Sequence, residues 1–461
     1  MDRHLHSRYN PHSEAERYID SLNLKDDIKL FVLIEPGRGY LIPVLRERFK
    51  ESGIIVFHIE DQDALPFADV PEMTGTESAD VQNFLEANIG ENSGKIRIIE
   101  WRPSLNLYKE TYVKLLSQVV DFIKRTEAGN RTTAAFGKRW VRNFFGNLDK
   151  LNKSLLYRRT EIPVIVTGSG PSLEQALPAI KEAQDSCLII AASSSVMALS
   201  HGGISADLTI TTDGGSWALK HLYSCFRQKT KALAVNLCAS LPSQCADTPF
   251  LLINDGSFWQ SLILHELNLP SVIVTQKGTV TATAVELSLA LSGANIYLAG
   301  ADFSVNDIIT HVKPYSFDDL FFGNANRFNP YYSERFMRAF YTVKGESLDI
   351  YASWFKTRLD IWEKRIFSIT QSDVFKTGTP KKSSEKKNVF NLLKAQPVSG
   401  GSSSLRERGA AALLNALKNG EYSRNIRREL TSLLFADSRG KKVTDEELEA
   451  AIRKTALKDT A

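Results

Sequence analysis

Seven short apolar runs recur between residues 160 and 345, each the length of one buried strand: 164–167, 188–192, 208–212, 232–236, 250–254, 272–275 and 296–299. Helical patterns fit between several of them. Runs this apolar suit strands covered on both faces. Strands that alternate with helices point to parallel pairing, because parallel neighbours need a long crossover. The expected fold class is therefore α/β: a doubly wound, Rossmann-like central domain whose ligands bind outside the carboxyl ends of the strands.

The remaining chain divides around that centre. Residues 1–130 read as a small α/β domain, with strands at 30–34, 54–58 and 96–101 and a helix at 41–49. Helical periodicity over 107–123 and 139–155 suggests two helices leading into the central domain, 131–345. Residues 346–461 read as a mostly helical C-terminal region. Its stretch near 377–405 is rich in Ser, Gly, Pro and Lys, a linker composition. Ile426, Leu430, Leu433 and Leu434 share one helix face, and Thr444 with Glu447 fits a capping box. On this reading the tail beyond Lys376 is dispensable for ligand binding.

Composition narrows the function. The 461 residues carry 57 basic and 53 acidic side chains, so no charge excess points to nucleic acid or to a membrane surface as partner. Hydrophobic content of 43% supports real cores. Cys187, Cys225, Cys238 and Cys245 form no CxxC pair, which argues against zinc, and Cys187 opens an apolar run as a buried thiol does. The first residues lack an apolar signal core and no apolar run spans a bilayer, so a cytoplasmic location is expected.

Three segments carry candidate chemistry. Gly168-Ser169-Gly170-Pro171-Ser172-Leu173 follows the first central strand and opens a helix. Glycines let backbone approach a ligand, and helix-start N–H groups attract phosphate, so this loop is expected to bind a nucleotide or nucleotide-sugar. A tight turn needing glycine for itself is the alternative. It is neither a dinucleotide fingerprint nor a Walker loop. Asp213 ends the run at 208–212 before Gly214-Gly215 and suits a ribose or sugar hydroxyl, a metal, or a helix N-cap. Gly278 and Thr279 open a helix that leads to Gly300-Ala301-Asp302-Phe303, with His311 nine residues beyond Asp302. A histidine there is a candidate general base or a solvated loop residue. Asp61-Gln62-Asp63 matches the short metal-binding DxD of many glycosyltransferases but lies outside the central domain.

These motifs, with His6-Ser7-Arg8-Tyr9-Asn10-Pro11 and Gly203-Ile204-Ser205-Ala206-Asp207, resemble in order and spacing the motility-associated-factor (Maf) flagellin glycosyltransferases. The central region resembles the domain they share with the 6-hydroxymethylpterin diphosphokinase (MptE-like) proteins. The glycine loop and Gly300–Phe303 also resemble bacterial sialyltransferases of GT-A-like fold. The resemblance implies transfer of a nonulosonic acid (pseudaminic, legionaminic or sialic type) from a CMP-sugar donor to Ser or Thr of flagellin. Gly168, Ser169, Gly170, Pro171, Ser172, Asp213, Gly278 and Thr279 are then the expected donor-binding residues. His311 and Asp302 are the expected catalytic ones, with magnesium optional. The alternatives are a diphosphokinase using ATP and magnesium through Asp207, Asp213 or Asp302, and a non-catalytic flagellin-binding protein.

Overall fold

The computed structural model describes residues 5–60, 67–89, 95–228, 230–275, 278–344, 347–356, 358–359, 362, 364–380, 393–398, 403–419, 422–436 and 443–457. The Asp61-Gln62-Asp63 motif lies outside them. The chain forms two compact units, Met1–Thr133 and Ala134–Ala461.

Among the described residues the first unit is built on four parallel strands, β1 (Leu30–Ile34), β2 (Gly53–His58), β3 (Glu72–Thr74) and β4 (Ile96–Glu100), in the order β3-β2-β1-β4. β1 is apolar at every position because both its faces are covered. Phe31 and Leu33 join Ala15 and Ile19 of α1 (Pro11–Ser21) and Leu41 and Leu45 of α2 (Leu41–Arg48) in one cluster. Leu30, Val32 and Ile34 meet Val81 and Leu85 of α3 (Ser78–Ile89) in another. The three expected strands and the helix at 41–49 are present. The helices expected at 107–123 and 139–155 are instead one element, α4 (Arg102–Leu148), which leaves helical geometry at Lys109. The end of the second expected helix is a strand, β5 (Lys153–Tyr157).

At the carboxyl end of this sheet, the fully buried Glu35 lies 3.8 Å from Nδ1 of buried His58, an ion pair without a hydrogen bond, and Glu72 lies 3.4 Å from Nε2. Glu35 also accepts the Ile59 N–H at 2.7 Å. Burial opposes protonation of His58, but the two carboxylates outweigh it and hold the imidazole above its ordinary 6.5. A raised folded-state value stabilises the unit fully below pH 6.5 and loses that effect as pH rises through the folded value. We expect the unfolding temperature of wild type to exceed that of His58→Gln most at pH 5.5–6.5, with the gap shrinking toward pH 8. A pH-independent gap in thermal melts would refute the linkage.

The described residues of the second unit form a ten-stranded sheet. Its strand order is β13-β12-β6-β7-β8-β9-β10-β5-β14, where β13 is Ile366–Ser368, with β11 (Ser271–Ile273) paired to β10. β6 (Val164–Thr167), β7 (Leu188–Ala192), β8 (Leu208–Thr211), β9 (Leu233–Val235), β10 (Phe250–Asn254) and β12 (Ile296–Ala299) fall within a residue or so of the expected runs. All pairings are parallel except β14 (Leu393–Pro397) with β5. The chain runs outward from β6 through β7 to β10, then returns to lay β12 on the other side of β6. That reversal makes the gap between β6 and β12 the topological switch point, where such sheets open a crevice. α5 (Leu173–Ala183) and α6 (Val196–His201) cover one face and α9 (Val280–Leu291) the other.

The C-terminal region does not stand apart. β14 forms inside the stretch expected to be a linker, and it pairs with β5 over five residues. Three tail helices follow, Leu405–Asn419, Ser423–Leu434 and Asp445–Leu457. Leu413, Leu430 and Ile452 are fully buried in one cluster with Phe144, Phe250 and Ile263 of the preceding chain. Glu429 reaches back to accept the N–H groups of Phe258 and Trp259, at 3.1 and 3.2 Å, at the start of α8 (Phe258–Glu266). Leucines on one helix face state that something must cover them, but not what. The Thr444–Glu447 capping box is formed in both directions, at 2.8 and 3.2 Å.

Candidate active site

At the switch point between β6 and β12 two glycine turns are pressed together. Gly168 follows β6 and Gly300, at φ +67°, follows β12. A Cβ on Gly168 would stand 2.5 Å from the Gly300 carbonyl oxygen, and one on Gly300 would stand 2.6 Å from that of Gly168. A Cβ on Gly170 would collide with the Asp302 carboxylate. The glycines are thus required by the approach of two backbone turns, whatever binds there. A larger residue at position 170 therefore disturbs the fold as well as any ligand.

The hydrogen bonding corrects one expectation. The N–H groups at the loop and helix start are largely engaged within the protein. Gly168 donates to Ala299 at 2.8 Å, Gly170 to Gly300 at 2.9 Å, and Ser172 to the Asp302 carboxylate at 2.9 Å. Asp302 occupies the start of α5, the place expected for phosphate, where a carboxylate is favoured by the helix dipole. Its observed role is to clamp the loop. Among the described residues the Ser169 N–H has no acceptor and the buried Ser172 hydroxyl has no partner, so these are the groups left for a ligand. Thr279 caps α9, its hydroxyl accepting from Ala282 at 3.0 Å, and Thr281 brings its own hydroxyl near Gly168. Gly278 adopts φ +78° just before that cap.

Asp213 sits past the end of β8, two strands from β6 and so roughly 10 Å along the edge. Its exposed carboxylate accepts the Gly215 N–H at 2.7 Å, a local turn rather than the N-cap of α7 (Ala218–Arg227). Asp207 is at the opposite, amino end of β8. There it accepts the Ile189 N–H at 2.9 Å and pairs with Lys231. The three aspartates of the diphosphokinase alternative therefore do not converge. Among the described residues no three His, Cys, Asp or Glu side chains are grouped to hold a metal ion.

His311 lies beside the crevice. The next residue, Val312, donates its N–H to the Ser169 carbonyl at 2.9 Å, tying the histidine loop to the glycine loop. The ring stacks on Tyr315 at 4.3 Å and Nδ1 bonds the Thr310 hydroxyl at 3.0 Å. Burial, with Arg338 and His221 close by, pushes His311 down to about 4. It is neither the solvated loop residue nor a group poised at neutrality.

Sequence reasoning missed the wall around it. His221 of α7 bonds Ser316 at 3.0 Å, lies 5.3 Å from the Tyr315 ring, and is also pushed down to about 4 by burial. Arg338 of α11 (Tyr331–Lys344) places its guanidinium 4.0 Å over Phe321. With Trp217, Phe317 and Leu320 these residues line a cavity of about 370 Å³, and a smaller pocket on its flank contains His311, Lys313 and Tyr331. The aromatic richness of residues 315–341, interleaved with arginine, was the available signal. A larger cavity of about 590 Å³, around Arg406 and Arg453, shares no residue with this site. The four cysteines are buried and form no disulfide. Burial pushes Cys225 up to about 12 and Cys245 up to about 11, so these thiols are unreactive.

A doubly wound parallel sheet, with paired glycine turns at its switch point and a cavity of imidazole, aromatic and arginine side chains beside them, defines a Rossmann-like α/β fold. Residues 138–307 match the family of 6-hydroxymethylpterin diphosphokinase MptE-like proteins. The chain superposes on the Maf glycosyltransferase of Magnetospirillum magneticum AMB-1 with a TM-score of 0.52 and 13% identity, over 96% of this chain and 78% of that one. A protein of Treponema pallidum (strain Nichols), described as uncharacterized, is 28% identical over 297 residues, spanning 62% of this chain and 64% of its own length. Residues 138–307 are thus similar to the MptE-like family, and the chain shares its fold with the Maf glycosyltransferase structure. Among the described residues no helix is long and apolar enough to cross a membrane.

Proposed function

We propose that this protein is a glycosyltransferase that moves a nonulosonic acid from a CMP-sugar to Ser or Thr of flagellin, in the cytoplasm and in support of flagellar assembly and motility. The likeness to a glycosyltransferase structure supports glycosyl transfer, and the motif resemblance supports the donor and acceptor classes. One observation carries the mechanism: the Val312–Ser169 hydrogen bond, which holds the His311 segment against the glycine loop. A donor in the crevice would meet Ser169 and Ser172. The cavity at His221, Tyr315 and Arg338 would take the acceptor side. A ring whose ordinary charge is suppressed is neutral at pH 7. In the tautomer that donates Nδ1–H to Thr310, the Nε2 lone pair takes the acceptor hydroxyl proton as the hydroxyl oxygen bonds the sugar's anomeric carbon and that carbon's bond to the CMP phosphate breaks. The Ser169 N–H of the loop would stabilise charge on the departing phosphate.

The family name favours a second reading, phosphoryl transfer to a pterin-like alcohol. The dispersed aspartates weigh against it. Thermal-shift titration with CMP, CDP, UDP, GDP and ATP, with and without magnesium, separates the two, because a ligand of the native state raises the unfolding temperature by mass action. We expect stabilisation by CMP or CDP without magnesium. Stabilisation by ATP only when magnesium is present would transfer the assignment to the diphosphokinase, and indifference to every nucleotide would favour a flagellin-binding protein.

A further inference from the structure

α11 is amphipathic with its faces reversed. Its inward side is polar: Glu334, Arg335 and Arg338 are half-buried, and Ala339 is its buried apolar residue. Its outward side carries Tyr332, Phe336, Met337, Phe340, Tyr341 and Val343, of which Tyr332 is 73% and Phe336 58% exposed. A helix on a monomeric domain turns its apolar stripe to the core, so this stripe has its partner elsewhere. Phe322, stacked on Tyr331 at 4.3 Å, and Phe328, 95% exposed, extend the same surface at its amino end.

We propose that this face pairs with the same face of a second copy of the chain. Two features select that occupant. The first is geometry. Tyr332, Phe336 and Phe340 form one ridge at four-residue spacing, and Ser333, Met337 and Tyr341 form the next. Ridges of this spacing interdigitate with identical ridges, so one α11 is the complement of another across a two-fold axis. The second is area and composition. At roughly 200 Å² per aromatic side chain, the exposed parts of these eight residues come to on the order of 900 Å². That matches the ~800 Å² per partner of a stable interface. The outward positions carry Phe, Tyr and Met and no carboxylate, the composition of a homodimer core rather than of a transient, polar contact. The inference is independent of the reaction proposed above. Its structural consequence is that dimerisation braces α11, whose other side supplies Arg335 and Arg338 to the pocket containing His311.

The test is the mass of the full-length protein by light scattering across a concentration series, with Phe336→Asp and Phe340→Asp as variants. Wild type is expected as two chains at low micromolar concentration. Each substitution should weaken the pairing by at least ~30-fold. Both residues point outward, so circular dichroism and unfolding of the monomeric variants should show a folded chain. As a second readout, Met337→Cys supplies an accessible thiol in a chain whose native cysteines are all buried. A bifunctional maleimide should link it into a covalent dimer, and should not link Lys50→Cys. A wild type of one chain at tens of micromolar, or a dimer unchanged by both substitutions, would overturn the proposal. So would a monomeric wild type that floats with phosphatidylcholine–phosphatidylglycerol vesicles through these residues, which would assign the face to lipid.

Discussion

Truncation after Lys376 leaves the second unit unable to fold: the shortened chain is expected to be insoluble, or to lack a cooperative unfolding transition. The sequence suggested the opposite, a dispensable tail behind a linker. The described tail places nine leucine and isoleucine side chains in the core cluster that also contains Phe144, Phe250 and Ile263. At ~1.5–3 kcal/mol for each buried side chain, their burial is worth on the order of 15–25 kcal/mol as an upper bound. A whole domain is stable by only ~5–15 kcal/mol. Only part of that burial is against the rest of the unit, but a fraction suffices. Truncation also uncovers the edge of β5 and removes the Glu429 cap from α8. A single charge in the same place makes the finer test. Leu413→Asp should cost at least ~3 kcal/mol, because a carboxylate would be buried without a partner. Soluble yield and denaturant unfolding decide the matter, and a soluble, CMP-binding protein ending at Lys376 would show that the tail is an addition to the core rather than part of it.

His311→Ala is expected to lower transfer to the acceptor by at least ~10², with CMP affinity nearly unchanged. The pH dependence follows from burial. The folded value of about 4 lies below the ordinary 6.5, so the ring binds its proton less readily in the folded state. Its contribution to stability is complete above pH 6.5 and is lost as pH falls toward 4. The size is on the order of 3 kcal/mol. For the reaction, the acid limb of kcat/KM in wild type should fall near pH 4, well below that of a free imidazole. An anionic donor bound beside the ring would raise its basicity and move the limb of kcat upward. A base at 4 is weaker than one matched to pH 7, and this shift on binding is what would make it effective. An unchanged transfer rate in the alanine variant removes His311 from the mechanism. A large loss of CMP affinity would make it a donor ligand instead.

The positions of the strands were legible because apolar runs of four or five residues admit few other uses in a chain with this alternation. β6, β7, β10 and β12 were each read at their observed bounds. The glycines of positions 168, 170 and 300 were equally legible as turns at strand ends. The sequence did not disclose that these turns face each other, because β6 and β12 are over a hundred residues apart and only the reversal of strand order brings them together. For the same reason Asp302 looked like a free ligand-binding acid. In three dimensions it is within a hydrogen bond of Ser172, 130 positions away in the chain. β13 (Ile366–Ser368) and β14 carry little pattern of their own and become strands because an edge is available to them. The chemistry of His311 was likewise undecided by its polar neighbours in sequence. The ring is stacked on Tyr315 of its own loop and has Arg338 of α11 and His221 of α7 close by, two helices distant in the sequence. Local pattern thus determined which segments are strands, helices and turns. Packing between distant segments decided which polar groups are consumed by the fold and which remain for a ligand.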